Sequence, residues 1–147
     1  MTRSDLLQFM RNFRHVVQAS VSDAGAAQAA VVGVAVTDAL ELVFDTVDTN
    51  RKAQNIRRHP KVAFVIGGWD GTGERTVQYE GVADEPSGAE LTRLKEIYFR
   101  RFSDGRQRES WPGLIYVRVR PTWIRYSDFE QDPPEIVVFD RFDSNPS

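Results

Sequence analysis

Thr46, Asn50, Arg51 and Lys52 stand close together in the stretch FDTVDTNRKAQNIRRHPKVAFVI, Phe44 to Ile66. Its pattern predicts a strand, a short polar loop, a helix of two or three turns and a second strand. Two cations then fall in the first turn of the helix, where the backbone dipole already presents partial positive charge and a positive side chain loses stability. The same end offers free N–H groups, which makes it a natural anion site. Adding the Thr49 hydroxyl, the Asn50 amide and two charged donors gives a cradle suited to a phosphomonoester. Arg57, Arg58 and His59 lie at the other end of the helix, where cations complement the dipole without a ligand. A plainer alternative is that Arg51 and Lys52 are solvated and pair with Asp45 or Asp48, for about a few tenths of a kcal/mol.

The elements that must hold this stretch in place are mostly strands. Leu6, Leu7, Met10 and Phe13 recur at helical spacing behind Ser4, which predicts a short amphipathic helix capped by that serine. In VVQASV the apolar Val17, Ala19 and Val21 alternate, SDAG has turn composition, and AAVVGVAV follows as an apolar run, so a β-hairpin is expected. LVFDTV and KVAFVI flank the small helix, and the glycine-rich GGWDGTGE joins the second of them to a strand over Thr76–Ala83. In that strand Val77, Tyr79 and Gly81 face one way. A helix opens after Pro86 with Ser87 as cap and Leu91, Leu94, Ile97 or Tyr98, and Phe102 as its stripe. LIYVRVR and TWIRY predict two strands around Pro121, with Ile115, Val117 and Val119 inward and Arg118 and Arg120 on the wet face. Short strands with hairpin turns and few helices suggest a mainly β fold, a small barrel whose closure removes exposed edges. The single domain is expected over residues 1–130, and 131–147 reads as an acidic, proline-bearing tail, partly disordered.

Composition narrows the function. A chain of 147 residues with 41% hydrophobic content fits one domain that buries roughly two thirds of its unfolded surface. A formal charge of −2 argues against a generic nucleic-acid or membrane-surface binder. No cysteine occurs, which excludes thiolate metal ligands and cysteine nucleophiles and fits a reducing cytoplasm. Zinc is not expected. MTRSDLLQFMRNFRHVV is interrupted by charge too often for a signal-peptide core, and no apolar run is long enough to span a bilayer, so a soluble intracellular protein is expected. The two histidines, His15 and His59, accompany no nucleophile-elbow sequence, which disfavours a Ser-His-Asp hydrolase.

Five segments in order, VQASVSDAGAAQAAVVGVA, LVFDT, NRKAQNIRRHPKVAFVI, VQYEGVADE and RPTWIRYSDF, resemble the pyridoxamine 5′-phosphate oxidase-like family of FMN-binding split barrels. The resemblance runs from about residue 10 to 130. It implies a six-stranded antiparallel split barrel that forms a homodimer, with FMN in a cleft at the subunit interface and hydride transfer to or from a small substrate. By position, Arg51 and Lys52 would bind the FMN phosphate, Thr46 would hydrogen-bond the cofactor, Asn50 would occupy a small polar loop position, and the AAVVGVA strand would back the flavin ring.

The chain also departs from that pattern. Ala30 and Ala35 stand where the biosynthetic oxidases carry a second basic pair, and Thr76, by position a further cofactor-binding candidate, where they place a glutamine on the strand after the glycine-rich loop. FDRFDS keeps Arg141 but lacks the histidine of their substrate-binding Arg-x-His. The resemblance is therefore to the cofactor frame rather than to the pyridoxamine phosphate site. Two alternatives follow. A deazaflavin could replace FMN, its acidic tail meeting the basic loop around Arg106 and Arg108, where Arg100 and Arg101 also lie. Or the protein could bind flavin or haem without catalysis. Trp69 and Trp111 could each cover an aromatic ligand, whereas Trp123, inside a strand, is expected to be core.

Overall fold

The structure, a computed structural model, describes residues 1–68 and 73–142. Helix α1 (Arg3–Arg11) is capped by Thr2 rather than by Ser4. The Thr2 hydroxyl accepts from the Asp5 N–H at 3.1 Å and the Asp5 carboxylate accepts from the Thr2 N–H at 2.8 Å. This reciprocal box satisfies two of the helix's free donors, which Ser4, two residues later and already inside the helix, could not do. Leu6, Phe9 and Met10 then bury against the sheet.

β1 (His15–Val21) and β2 (Ala27–Gly33) form the expected hairpin, closing at Val21 opposite Ala27. Its phase is the reverse of the one the apolar alternation suggests: Val16, Gln18 and Ser20 are buried, while Val21 is exposed. The apolar run does not continue as one strand. It breaks at Val34, whose N–H donates to the Arg14 carbonyl at 3.0 Å, and resumes as β3 (Ala35–Val36). There follow β4 (Leu42–Val47), α2 (Arg51–Arg58), β5 (Lys61–Gly67), β6 (Arg75–Asp84), α3 (Gly88–Arg101), α4 (Gly105–Arg108), β7 (Leu114–Asp128) and β8 (Glu135–Phe139).

The strands are paired antiparallel in the order β2-β1-β5-β6-β7-β4-β3, with β8 added alongside β7. Because β2 runs into β3 through the single residue Val34, the two ends of this order are one stretch of chain and the sheet curls back on itself. Counted that way the barrel is the six-stranded antiparallel one expected, and β8 is an addition. β8 arises within the segment read as a tail, where Ile136 pairs with Ser127 and Phe139 with Ile124. The last residues of that segment lie outside the described ones.

β7 is one long strand instead of two. It pairs with β4 through its first half and with β6 through most of its length, and Pro121 is absorbed where the register shifts between Glu80 and Gly81. Proline has no N–H to give the ladder, and here the Thr122 hydroxyl donates to the Glu80 carbonyl instead, at 3.2 Å. Opposite, Gly81 is required by close approach: a Cβ there would lie 2.5 Å from the Arg120 carbonyl oxygen. The bulge also changes what Trp123 does. Expected in the core, it is only half-buried, on the outer face opposite Glu80.

The barrel interior is filled from alternate strand positions, with Phe44, Phe64 and Tyr79 stacked edge to face at 6.3 and 5.8 Å. The Tyr79 hydroxyl donates to the carbonyls of Leu40 and Val119. Helix α3 packs Leu94, Tyr98 and Phe99 on the outside of the first half of β7, and Ser87 occupies its N-cap position without a side-chain bond. That packing explains why Arg118, expected in solvent, is 5% exposed. It is enclosed by Asp84 at 2.6 Å and Glu90 at 2.8 Å, whereas Arg120, two residues on, is exposed.

Candidate cofactor cleft

Helix α2 has no acidic residue in its first turn, and its N-cap, Asn50, makes no side-chain capping bond. The Asn50 amide turns back and donates to the Thr46 hydroxyl oxygen at 3.1 Å. The first-turn N–H groups are thus left for something else. Thr46 is buried on β4 and reaches the cleft only through Asn50.

Neither cation of the first turn takes the partner that the plainer alternative offers. Asp45 is held by Arg108 at 2.9 Å and by the Tyr98 hydroxyl at 3.0 Å. Asp48 caps the approach of Gly113, where a Cβ would come 2.5 Å from its carboxylate. Among the described residues no carboxylate forms an ion pair with Arg51 or Lys52. At the other end of α2, by contrast, Arg57 makes a two-pronged contact with Glu85 at 2.8 and 2.9 Å.

Arg51 is aimed by its surroundings. Its Nε donates to Gln28 Oε1 at 3.1 Å. Asn55 Nδ2, one turn along α2, donates to the same oxygen at 2.8 Å and to Ser20 Oγ at 3.0 Å. These bonds tie α2 to the β1–β2 hairpin and leave the outer prongs of the guanidinium facing a cleft of about 530 Å³. Arg51, Lys52, Asn50 and Thr49 line one side, and Gln18, Ser20, Gln28 and Ala30 the other. Within it the Gln18 amide nitrogen, fully buried, has no hydrogen-bond partner.

Four of these groups, Gln18, Ser20, Gln28 and Asn55, are absent from the site read off the sequence. Their signal was polar residues at alternate positions of two paired strands, with Ser20 opposite Gln28, in a hairpin otherwise apolar. Thr76 is not brought to this cleft within the chain. It lies on β6 between Gly67 and Ser127. The two alanines part company as well: Ala30 lines the cleft, while Ala35 is buried on β3. Trp69 lies outside the described residues, and Trp111 is 53% exposed. Arg141 is exposed beyond β8. His59 ends α2, 3.8 Å from Asp23, and His15 is exposed beside Phe102.

The basic loop is already neutralised. Arg108 binds Asp45 and Asp104 and donates to the Tyr98 hydroxyl, and Arg106 meets Glu96 at 3.4 Å and lies over the Phe99 ring. Burial, then the Asp45 charge, pushes the Tyr98 hydroxyl far above its ordinary range, and burial with the Glu109 charge pushes Tyr116 up to about 12. Both values exceed that of an unfolded tyrosine, about 10. The stabilisation is therefore complete below the unfolded value and is lost as pH rises through the folded ones. The urea midpoint is expected to fall with increasing pH above about 10, and Tyr98→Phe should flatten that fall. A fall of the same steepness in the variant would contradict it.

A larger cleft, of about 1340 Å³, lies between α1, β3 and α3. Its wall carries the Arg118 cluster together with the Arg11–Asp38 and Arg93–Glu90 pairs. Among the described residues no group of His, Asp or Glu could hold a metal ion, and no helix is long and apolar enough to cross a membrane.

Comparison with known proteins agrees with this fold. The chain is similar in fold to a haem-binding protein from Mycobacterium smegmatis, with TM-score 0.79 and 14% identity over 93% of this chain, which spans only 58% of that one. It is also similar to a conserved hypothetical protein from Mycobacterium tuberculosis, with TM-score 0.74 and 22% identity over 100% of this chain and 94% of that one. A third likeness is to a pyridoxamine 5′-phosphate oxidase-related, FMN-binding protein from Nostoc punctiforme, with TM-score 0.70 and 13% identity over 95% and 88% of the two chains. No curated protein matches the sequence. The family model described as pyridoxamine 5′-phosphate oxidase matches residues 3–128. With nearly the whole barrel, α2 and its cleft inside that match, the chain belongs to the pyridoxamine 5′-phosphate oxidase family.

Proposed function

We propose that the protein is an FMN-dependent oxidoreductase that transfers a hydride to or from a small substrate and works as a homodimer in the cytoplasm. The observation that carries this is the pair Arg51 and Lys52, unpaired by any described carboxylate, at a helix N-terminus whose N–H groups have no cap. Two positive charges match the dianion of a phosphomonoester, and the orphaned Gln18 amide in the same cleft marks it as built for a polar ligand. Bound there, the flavin supplies the redox chemistry. Arg51 and Lys52 hold the phosphate. Gln28 and Asn55 fix the direction of Arg51, and Thr46 fixes Asn50. No side chain of the cleft is needed as an obligatory acid or base.

The dimer has support in the outer face of the hairpin. Val31, 67% exposed, lies in one cross-strand row with Val17 and Val65, and Ala29, Ala19 and Ala63 form the next. An uncovered apolar sheet face, on the side of the hairpin opposite Gln18 and Ser20, is what a second subunit would bury. Such an arrangement would let a partner complete the cofactor cleft.

A non-catalytic role as a flavin or haem carrier is favoured by the likeness to haem proteins, the haem-binding protein of M. smegmatis and a haem storage protein of Vibrio cholerae. A deazaflavin tail would have to displace Glu96 from Arg106 and Asp45 and Asp104 from Arg108. Absorbance of the purified protein, before and after addition of FMN or haem, separates these. Flavin bands that stay with the protein through gel filtration at dimer mass are the expected result. A haem spectrum with no uptake of FMN would instead establish the carrier role.

A further inference from the structure

We propose that Gln18 is a direct ligand of the anion bound in the cleft, donating through its side-chain amide to a phosphate oxygen. Naming that anion as the FMN phosphate rests on the function proposed above.

Gln18 sits at the centre of β1, 1% exposed, with its amide nitrogen lacking any partner. Folded proteins rarely leave a buried amide unsatisfied, so such a group calls for an explanation. Two of the polar groups nearby already accept hydrogen bonds within the chain. Ser20 accepts from Asn55, and Gln28 accepts from both Asn55 and Arg51. Gln18 follows Ser20 along the same strand face at about 7 Å, two residues on. Its cross-strand neighbours are Ala30 on β2 and Phe64 on β5, and neither side chain can accept a hydrogen bond from the amide.

The position is also electrostatically suited to a neutral donor. Arg51 and Lys52 already balance the two charges of a phosphomonoester. A third cation would leave the cleft with excess charge when filled, whereas an amide adds a hydrogen bond at no charge. Gln18, reaching from β1, lines the cleft beside Ala30. The recognised class is a phosphomonoester, and the selectivity is for the phosphate over the same molecule without it.

Gln18→Leu, similar in size and without the amide, tests this. FMN, riboflavin and inorganic phosphate are titrated into wild type and variant, and thermal midpoints of the unliganded proteins are compared. The expected result is a loss of about tenfold or more in FMN affinity, no change for riboflavin, and a midpoint equal to or above that of wild type. Equal FMN affinity, or parallel losses for FMN and riboflavin, would overturn the assignment while leaving the flavin function standing. If wild type takes up no FMN, the flavin function fails by itself and inorganic phosphate decides. Phosphate bound by wild type and lost in the variant supports Gln18 as a ligand, whereas phosphate bound equally by both, or by neither, overturns it. Should Gln18→Leu not fold, Gln18→Glu keeps the shape and reverses the polarity. It is expected to abolish FMN binding and spare riboflavin, and retained FMN binding would overturn the proposal.

Discussion

A double variant, Arg51→Glu with Lys52→Glu, is expected to lose FMN affinity by at least about a hundredfold and to keep the thermal midpoint of the wild type. The size follows from two charge-assisted hydrogen bonds at about 1.5–3 kcal/mol each, which together amount to about two to four powers of ten in affinity. Repulsion between the introduced carboxylates and the phosphate adds to it. The fold should tolerate the change because neither side chain packs in the core: Arg51 is exposed, and its one bond is to Gln28. Acidic residues in the first turn also suit the dipole of α2 better than the native cations do. The stability of the unliganded variant is therefore expected to match or slightly exceed that of wild type. Fluorescence titration with FMN and a melting curve check both halves. Undiminished FMN affinity would remove the phosphate role from this helix end, and a collapse in stability would mean that the two cations are structural.

Arg118→Ala is expected to produce the opposite pattern, a large loss of stability with little change in cofactor affinity per folded molecule. The guanidinium is 5% exposed and bonds Asp84 at 2.6 and 3.0 Å and Glu90 at 2.8 Å, with Glu41 at 3.8 Å. Glu41 is itself 9% exposed. Removing the cation leaves its carboxylate to Arg93 and Arg120 at 3.6 and 3.8 Å. The lost charge-assisted hydrogen bonds to Asp84 and Glu90 are worth about 1.5–3 kcal/mol each, and the lower figure applies because both carboxylates are partly exposed, so the loss is about 3 kcal/mol. For a domain of this size that lowers the thermal midpoint by about 10 °C. Adding Glu41→Gln should recover part of the loss, since the stranded charge is then gone. A single variant with wild-type stability would show that solvent reaches this cluster and that it does not lock α3 onto β7.

These two arginines show where the sequence was legible. Arg51 was readable because a cation in the first turn of a helix is locally unfavourable, a conflict visible without the fold. Arg118 was misread because strand alternation assigns faces, and says nothing about which face another element covers. α3 covers both Arg118 and Tyr116 on the outer side of β7, so neither inner nor outer phase is exposed there. Gln18 was hidden for a related reason. Val17, Ala19 and Val21 alternate as a strand's apolar face does, yet the inner face holds Gln18 and Ser20, and of these Ser20 bonds Asn55 of α2.

Local chemistry along the chain determined the antiparallel β plan, the placing of α2 between two strands and the pair of cations in the first turn of that helix. Each depends on neighbours in sequence, on period and on backbone sterics. Only the tertiary structure decided that β2 and β3 close the barrel through Val34, that β7 runs unbroken past Pro121, that the tail contributes β8, that Gln28 joins Arg51 to Asn55, that Gln18 lines the same cleft, and that the Arg120 carbonyl leaves room at position 81 for glycine alone. Those facts depend on contacts between residues remote in the chain. Their free energy comes from burial and pairing that exist only once the sheet has curled and the helices have covered it.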